Sequence, residues 1–161
     1  MEKLIRFLIY FSFALAFLVF TQSCNHSPNV SEQKTTYQLL DEYFKTKHNF
    51  ELTDKQKRIL VITQNHCMSC NKMFASLVLD NINDSSSVIL VTSDGSALNI
   101  APFRQHKGII FFDSSPEIEG NILSNTSIIN LKAKSVDTIV KIEARTLEEQ
   151  FSWFLNDITE K

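Results

Sequence analysis

The chain has 161 residues, 43% of them apolar and 21% charged, an ordinary balance for a single globular domain. Its formal net charge is −2 and the sequence holds no run of Lys and Arg, which argues against a nucleic-acid partner. With glycine only at positions 95, 108 and 120, there is no Gly-rich phosphate-binding loop.

The first segment reads as an export signal. Lys3 and Arg6 precede an apolar stretch from Phe7 to Phe20 that is interrupted only by Ser12, the length of a signal-peptide core rather than of a membrane span. Ser23-Cys24 then sets a small residue directly before a cysteine. This resembles a lipobox, at which bacterial lipoprotein precursors are lipidated on cysteine and cleaved just before it, although Thr21 stands where an aliphatic residue is usual. The expected organisation is a signal peptide over residues 1–23, a flexible polar tether over 24–36 and one domain over 37–161. Lipidated Cys24 would hold the domain at a membrane of the cell envelope, on the periplasmic side of the outer membrane.

Within the domain, Leu39, Leu40, Tyr43 and Phe44 fall at helical spacing, so residues 37–47 form a short amphipathic helix. Arg58 to Thr63 is a continuous apolar run, as expected of a strand covered on both faces. Cys67 to Ile82 follows as a helix, with Cys70, Met73, Phe74, Leu77, Val78 and Ile82 on or near one face. Ser87 to Thr92 is a second buried strand, and this strand–helix–strand order calls for a parallel pair with a right-handed crossover. A weak helix limited by Pro102 lies in residues 96–106, before a third strand at residues 109–112. One or two helical turns fit Pro116 to Leu123. Strands at 127–131 and 136–144 suit an antiparallel hairpin. A closing helix at 146–158 begins with Thr146 and Glu149 at capping-box spacing, with Trp153 off its buried stripe.

The residues that carry chemistry are Cys67-Met68-Ser69-Cys70, where the first apolar run turns into a helix. Spacing of i, i+3 leaves one sulfur at the helix N-terminus and the other one turn behind. Unpaired backbone N–H groups at that end favour a thiolate. If Cys24 is acylated, these two are the only thiols left outside the reducing cytosol, and a paired thiolate is a device for disulfide exchange.

The order helix, buried strand, Cys-x-x-Cys helix, strand, helix, strand hairpin, helix resembles the thioredoxin superfamily, and within it the membrane-anchored, envelope-facing thiol–disulfide oxidoreductases and peroxiredoxin-like relatives. The resemblance covers residues 37–158. It implies an α/β fold with a central mixed sheet of about four or five strands flanked by helices. It also implies Cys67 as the attacking thiol, Cys70 as the resolving thiol, protein thiols and disulfides as substrates, a partner reductase or oxidase, and no cofactor. His66 stands where the family usually has an aromatic residue. Asn125 and Thr126 occupy the position of the family's cis-proline, before Ser127. His66, Asn125 and Thr126 are therefore the residues expected to meet the substrate or support the thiol pair. A cis bond without proline costs about 2.5–4 kcal/mol, so a trans peptide is expected at Asn125.

The alternative is a lipid-anchored module that keeps this fold but binds a metal ion or a partner protein without redox turnover. His66, Cys67 and Cys70 would be its ligands, a soft set suited to Cu(I) or Zn. His48 and His106 are isolated in sequence and expected at the surface.

Overall fold

The structure, a computed structural model, describes residues 34–65 and 67–159. The expected signal peptide, Cys24, nearly all of the tether and His66 lie outside the described residues.

Helix α1 (Thr36–His48) opens on a reciprocal cap. Thr35 accepts a hydrogen bond from the Gln38 backbone, and the Gln38 side chain accepts one from the Thr35 backbone. It ends at Asn49, in the left-handed region at φ 51°, whose N–H reaches back to the carbonyls of the last turn. Strands β1 (Arg58–Thr63) and β2 (Ser87–Thr92) are buried at every residue and run parallel, joined by helix α2 (Met68–Asn81). Helix α3 (Ala101–Gln105) carries Pro102 in its first turn and leads into β3 (Ile109–Phe112), which adds to β2 in parallel. A short 3₁₀ turn (Glu119–Asn121) stands where one or two helical turns were expected. Strands β4 (Ser127–Lys132) and β5 (Ser135–Lys141) form the hairpin, and helix α4 (Leu147–Thr159) closes the domain.

The strand order is β3-β2-β1-β4-β5, with β4 antiparallel to β1, so the fold is α/β with a five-stranded mixed sheet in the thioredoxin-like arrangement. Side-chain alternation splits the core in two. Leu60, Ile62, Ile89, Val91 and Ile128 face α2 and α4, where Phe74, Val78 and Phe154 are fully buried. Ile59, Val61, Val88, Leu90 and Ile129 face α1, packing on Leu40 and Phe44. Each fully buried side chain of this size contributes roughly 1.5–3 kcal/mol of burial.

Three further local expectations change. The hairpin turns tightly through Ala133 and Lys134, both at positive φ, so β5 begins at Ser135 and stops at Lys141. The start of α4 is held by Gln150, which accepts from the Glu143 N–H and donates to the Lys141 carbonyl, rather than by the Thr146–Glu149 pair. Met73 is 52% exposed, because Cys70, Asn71, Phe74, Ala75 and Val78 define the buried face of α2.

Candidate functional site

Cys67 and Cys70 form a disulfide at the start of α2, with their Cα atoms 5.3 Å apart. Cys67 is the residue before the first helical one, and its extended backbone turns the chain out of the loop that follows β1. Its Sγ accepts a hydrogen bond from the Cys70 backbone N–H at 3.4 Å and lies 3.5 Å from Ser69 Oγ. No acidic residue occupies the first turn of α2. The backbone N–H groups of that turn therefore act on Cys67 Sγ without an opposing carboxylate from the same turn, a setting that favours the thiolate once the bond is reduced. The two sulfurs differ in access. Cys67 is half-buried, whereas Cys70 is 2% exposed and packs in the core with Phe74.

A polar chain of contacts braces the loop between β1 and Cys67. Thr63, at the end of β1, donates its N–H to Thr126 Oγ1 at 3.0 Å, and both residues are buried. Val61 pairs with Ser127 at the end of the β1–β4 ladder, so this side-chain acceptor serves a β1 donor beyond the last backbone rung. Thr63 Oγ1 in turn accepts from the Asn65 N–H at 3.3 Å. Asn71, 3% exposed on the inner face of α2, donates through Nδ2 to the Asn65 carbonyl at 2.7 Å. Ser93 Oγ donates to Gln64 Oε1 at 2.8 Å, tying the loop after β2 to the same segment. Each bond made between buried groups is worth about 0.5–1.5 kcal/mol net. Their joint effect is to fix the chain that delivers Cys67.

The expected site residues divide accordingly. Cys67 and Cys70 are joined, and Thr126 is coupled through Thr63 to the loop that carries them. Asn125 is half-buried and donates to its neighbour Ser124, and no peptide bond among the described residues is cis. His66 lies outside the described residues. Thr63, Asn65 and Asn71 stand outside the sequence expectations; the one available signal was spacing, since Asn71 lies about one helical turn after Cys67. Beside this loop lies a polar cavity of about 190 Å³, lined in part by Gln64, Asn65, Ser115 and Asn121. Met68 and Met73 are both exposed on the first two turns of the same helix.

The two histidines expected at the surface are partly buried. His48 stacks on Phe111 at 4.7 Å between ring centres and lies 3.4 Å from the Tyr43 hydroxyl, which donates to Asp113 at 2.8 Å. Burial holds the His48 pKa below the usual imidazole range, against the opposing pull of Asp113 and with a smaller push from Lys47. His106 accepts through Nδ1 from the Gly108 N–H at 3.0 Å. Among the described residues, no group of three His, Cys, Asp or Glu side chains is placed to hold a metal ion. No helix among them is long and apolar enough to cross a membrane.

No protein-family model matches this chain, and neither a curated protein nor a solved structure matches it.

Proposed function

We propose that this protein is a thiol–disulfide oxidoreductase of the thioredoxin superfamily, acting on protein thiols and disulfides through Cys67 and Cys70. The observation that carries this reading is the unequal pair: a half-buried sulfur at a helix N-terminus, bonded to a buried one behind it.

In the disulfide form, an incoming substrate thiolate attacks Cys67 Sγ, the more accessible sulfur, and Cys70 leaves as thiolate. A second substrate thiolate then displaces Cys67, so the substrate gains a disulfide while the pair takes up two electrons and, on protonation, two protons. Run backwards, the Cys67 thiolate attacks a substrate disulfide, and Cys70 resolves the mixed disulfide. The exposed Met68 and Met73 supply a flexible apolar rim suited to substrates of varied shape. His66, Asn125 and Thr126 are proposed to line or support the approach to Cys67. The working partners are protein substrates and a separate reductase or oxidase that resets the pair. The proposed location is the cell envelope, with the domain held to a membrane by acylated Cys24 and a polar tether.

Cys70→Ser tests the reading. With the resolving thiol removed, Cys67 should accumulate mixed disulfides with envelope proteins that reductant releases. Absence of trapped partners, together with tight Cu(I) binding by the reduced wild-type pair, would favour the metal-binding alternative. Loss of labelled-acyl incorporation and of membrane association in Cys24→Ala tests the anchor; unchanged association would place it elsewhere.

A further inference from the structure

The end of the sheet remote from the disulfide holds a second feature that the redox reading does not use. Arg58 is the first residue of β1, whereas the Cys67 loop follows the last, so the two lie about 20 Å apart along a six-residue strand. Arg58 is 2% exposed. One edge of its guanidinium pairs through Nη2 with Asp157 at 2.8 Å, and its face lies 5.9 Å from the centre of the Phe154 ring. Nε and Nη1 have no hydrogen-bonding partner among the described residues. A buried charged donor left unpaired costs several times what an exposed one does, so this guanidinium is only partly accounted for by the fold.

Arg58 forms part of the wall of a cavity of about 470 Å³. Lys57 and Lys132 reach the same cavity, with Asp137 and Asp157 as its carboxylates and Trp153 as its aromatic wall. A smaller adjoining cavity of about 280 Å³ shares Lys57 and Lys132, and adds Lys134 and Asp54. These cations are scattered along the sequence and are gathered only by the pairing of β1 with β4 and the β4–β5 turn. The Arg58–Asp157 pair is asymmetric: the cation's side chain is 3% exposed, its partner's 39%. A fixed buried cation with a solvent-reachable counter-ion suits exchange of that counter-ion for another oxyanion.

We propose that this cavity binds a phosphate-class oxyanion, held by Arg58 with Lys57 and Lys132 and bordered by Trp153. A tetrahedral oxyanion points its oxygens in divergent directions toward cations on different walls of the cavity, whereas a carboxylate presents two oxygens in one plane. Phosphate presented free in solution and phosphate presented in a lipid headgroup share this chemistry.

Trp153 is the only tryptophan of the chain and so reports directly on the site. The full-length protein is titrated with inorganic phosphate at constant ionic strength, and separately with phosphatidylglycerol and phosphatidylcholine vesicles, following Trp153 emission and binding heat. A saturable response to phosphate, or to the anionic vesicles alone, is expected, and identifies the source as free ion or headgroup. Lys57→Ala with Lys132→Ala, both exposed positions, should weaken it by about tenfold while the far-ultraviolet dichroism is unchanged. No saturable response in any arm, or equal affinity in the folded double variant, overturns the proposal. Neither result bears on Cys67 and Cys70, whose exchange is measured independently.

Discussion

Thr126→Val is the substitution that most sharply tests how the Cys67 loop is held. The change keeps the branched shape and removes only the hydroxyl that accepts the Thr63 N–H at 3.0 Å. Thr63 is fully buried and Thr126 is 3% exposed, so water has no easy route to the donor left behind. An unsatisfied buried backbone donor costs about 1–3 kcal/mol, and the weaker 3.4 Å contact with Thr63 Oγ1 is lost as well. Thr126→Ser is the control: it retains the acceptor and deletes one methyl, for roughly 0.8 kcal/mol. Urea unfolding of the three proteins should therefore rank wild type above Ser above Val, with the Val variant about 1–3 kcal/mol less stable. If Val matched wild type, or Ser were the more damaging change, the Thr63–Thr126 bond would not be what closes this end of the sheet.

Other consequences follow from the same geometry. Phe154→Ala empties a fully buried position beside Phe74 and under Arg58, and should cost about 3–5 kcal/mol in an unfolding measurement. Asn71→Ala should cost only about 0.5–1.5 kcal/mol, because Asn65 is exposed and water replaces the lost donor. The same variant should speed amide exchange of Gln64, Asn65 and Cys67. For His48, the folded state binds a proton less readily than the unfolded chain, so its contribution is present above the unfolded pKa of about 6.5 and is lost as pH falls through the lower folded value. Stability measured from about pH 8 down to pH 5 should decline, and His48→Phe should flatten that decline.

Strands β1 and β2 were legible because both faces are buried, which writes an unbroken apolar run that needs no knowledge of neighbours. The two cysteines were legible for the same kind of reason, being close in sequence and in space. Contacts that join distant segments were not. Thr63 and Thr126 are 63 residues apart, and nothing in either local pattern announces the bond between them. Asn71 and Met73 show the limit of assigning faces by residue type: the helix turns a polar side chain inward and an apolar one outward. The hairpin turn was obscured because Ala133 and Lys134 take positive φ where Asn or Gly usually signals it. The cap of α1 went unread, because Thr35 falls in the polar segment assigned to the tether and Gln38 lies directly beside the first apolar residue of the helical pattern.

The central claim is that Cys67 and Cys70 cycle between disulfide and dithiol in the folded protein. Equilibration in a series of glutathione or dithiothreitol redox buffers, followed by acid quenching, alkylation and intact mass, measures it directly. The account predicts one reversible two-electron transition, with reduced Cys67 alkylated well before the buried Cys70. A pair that stays oxidised across the whole series until the protein unfolds, or a reduced form in which Cys70 reacts first, would contradict it.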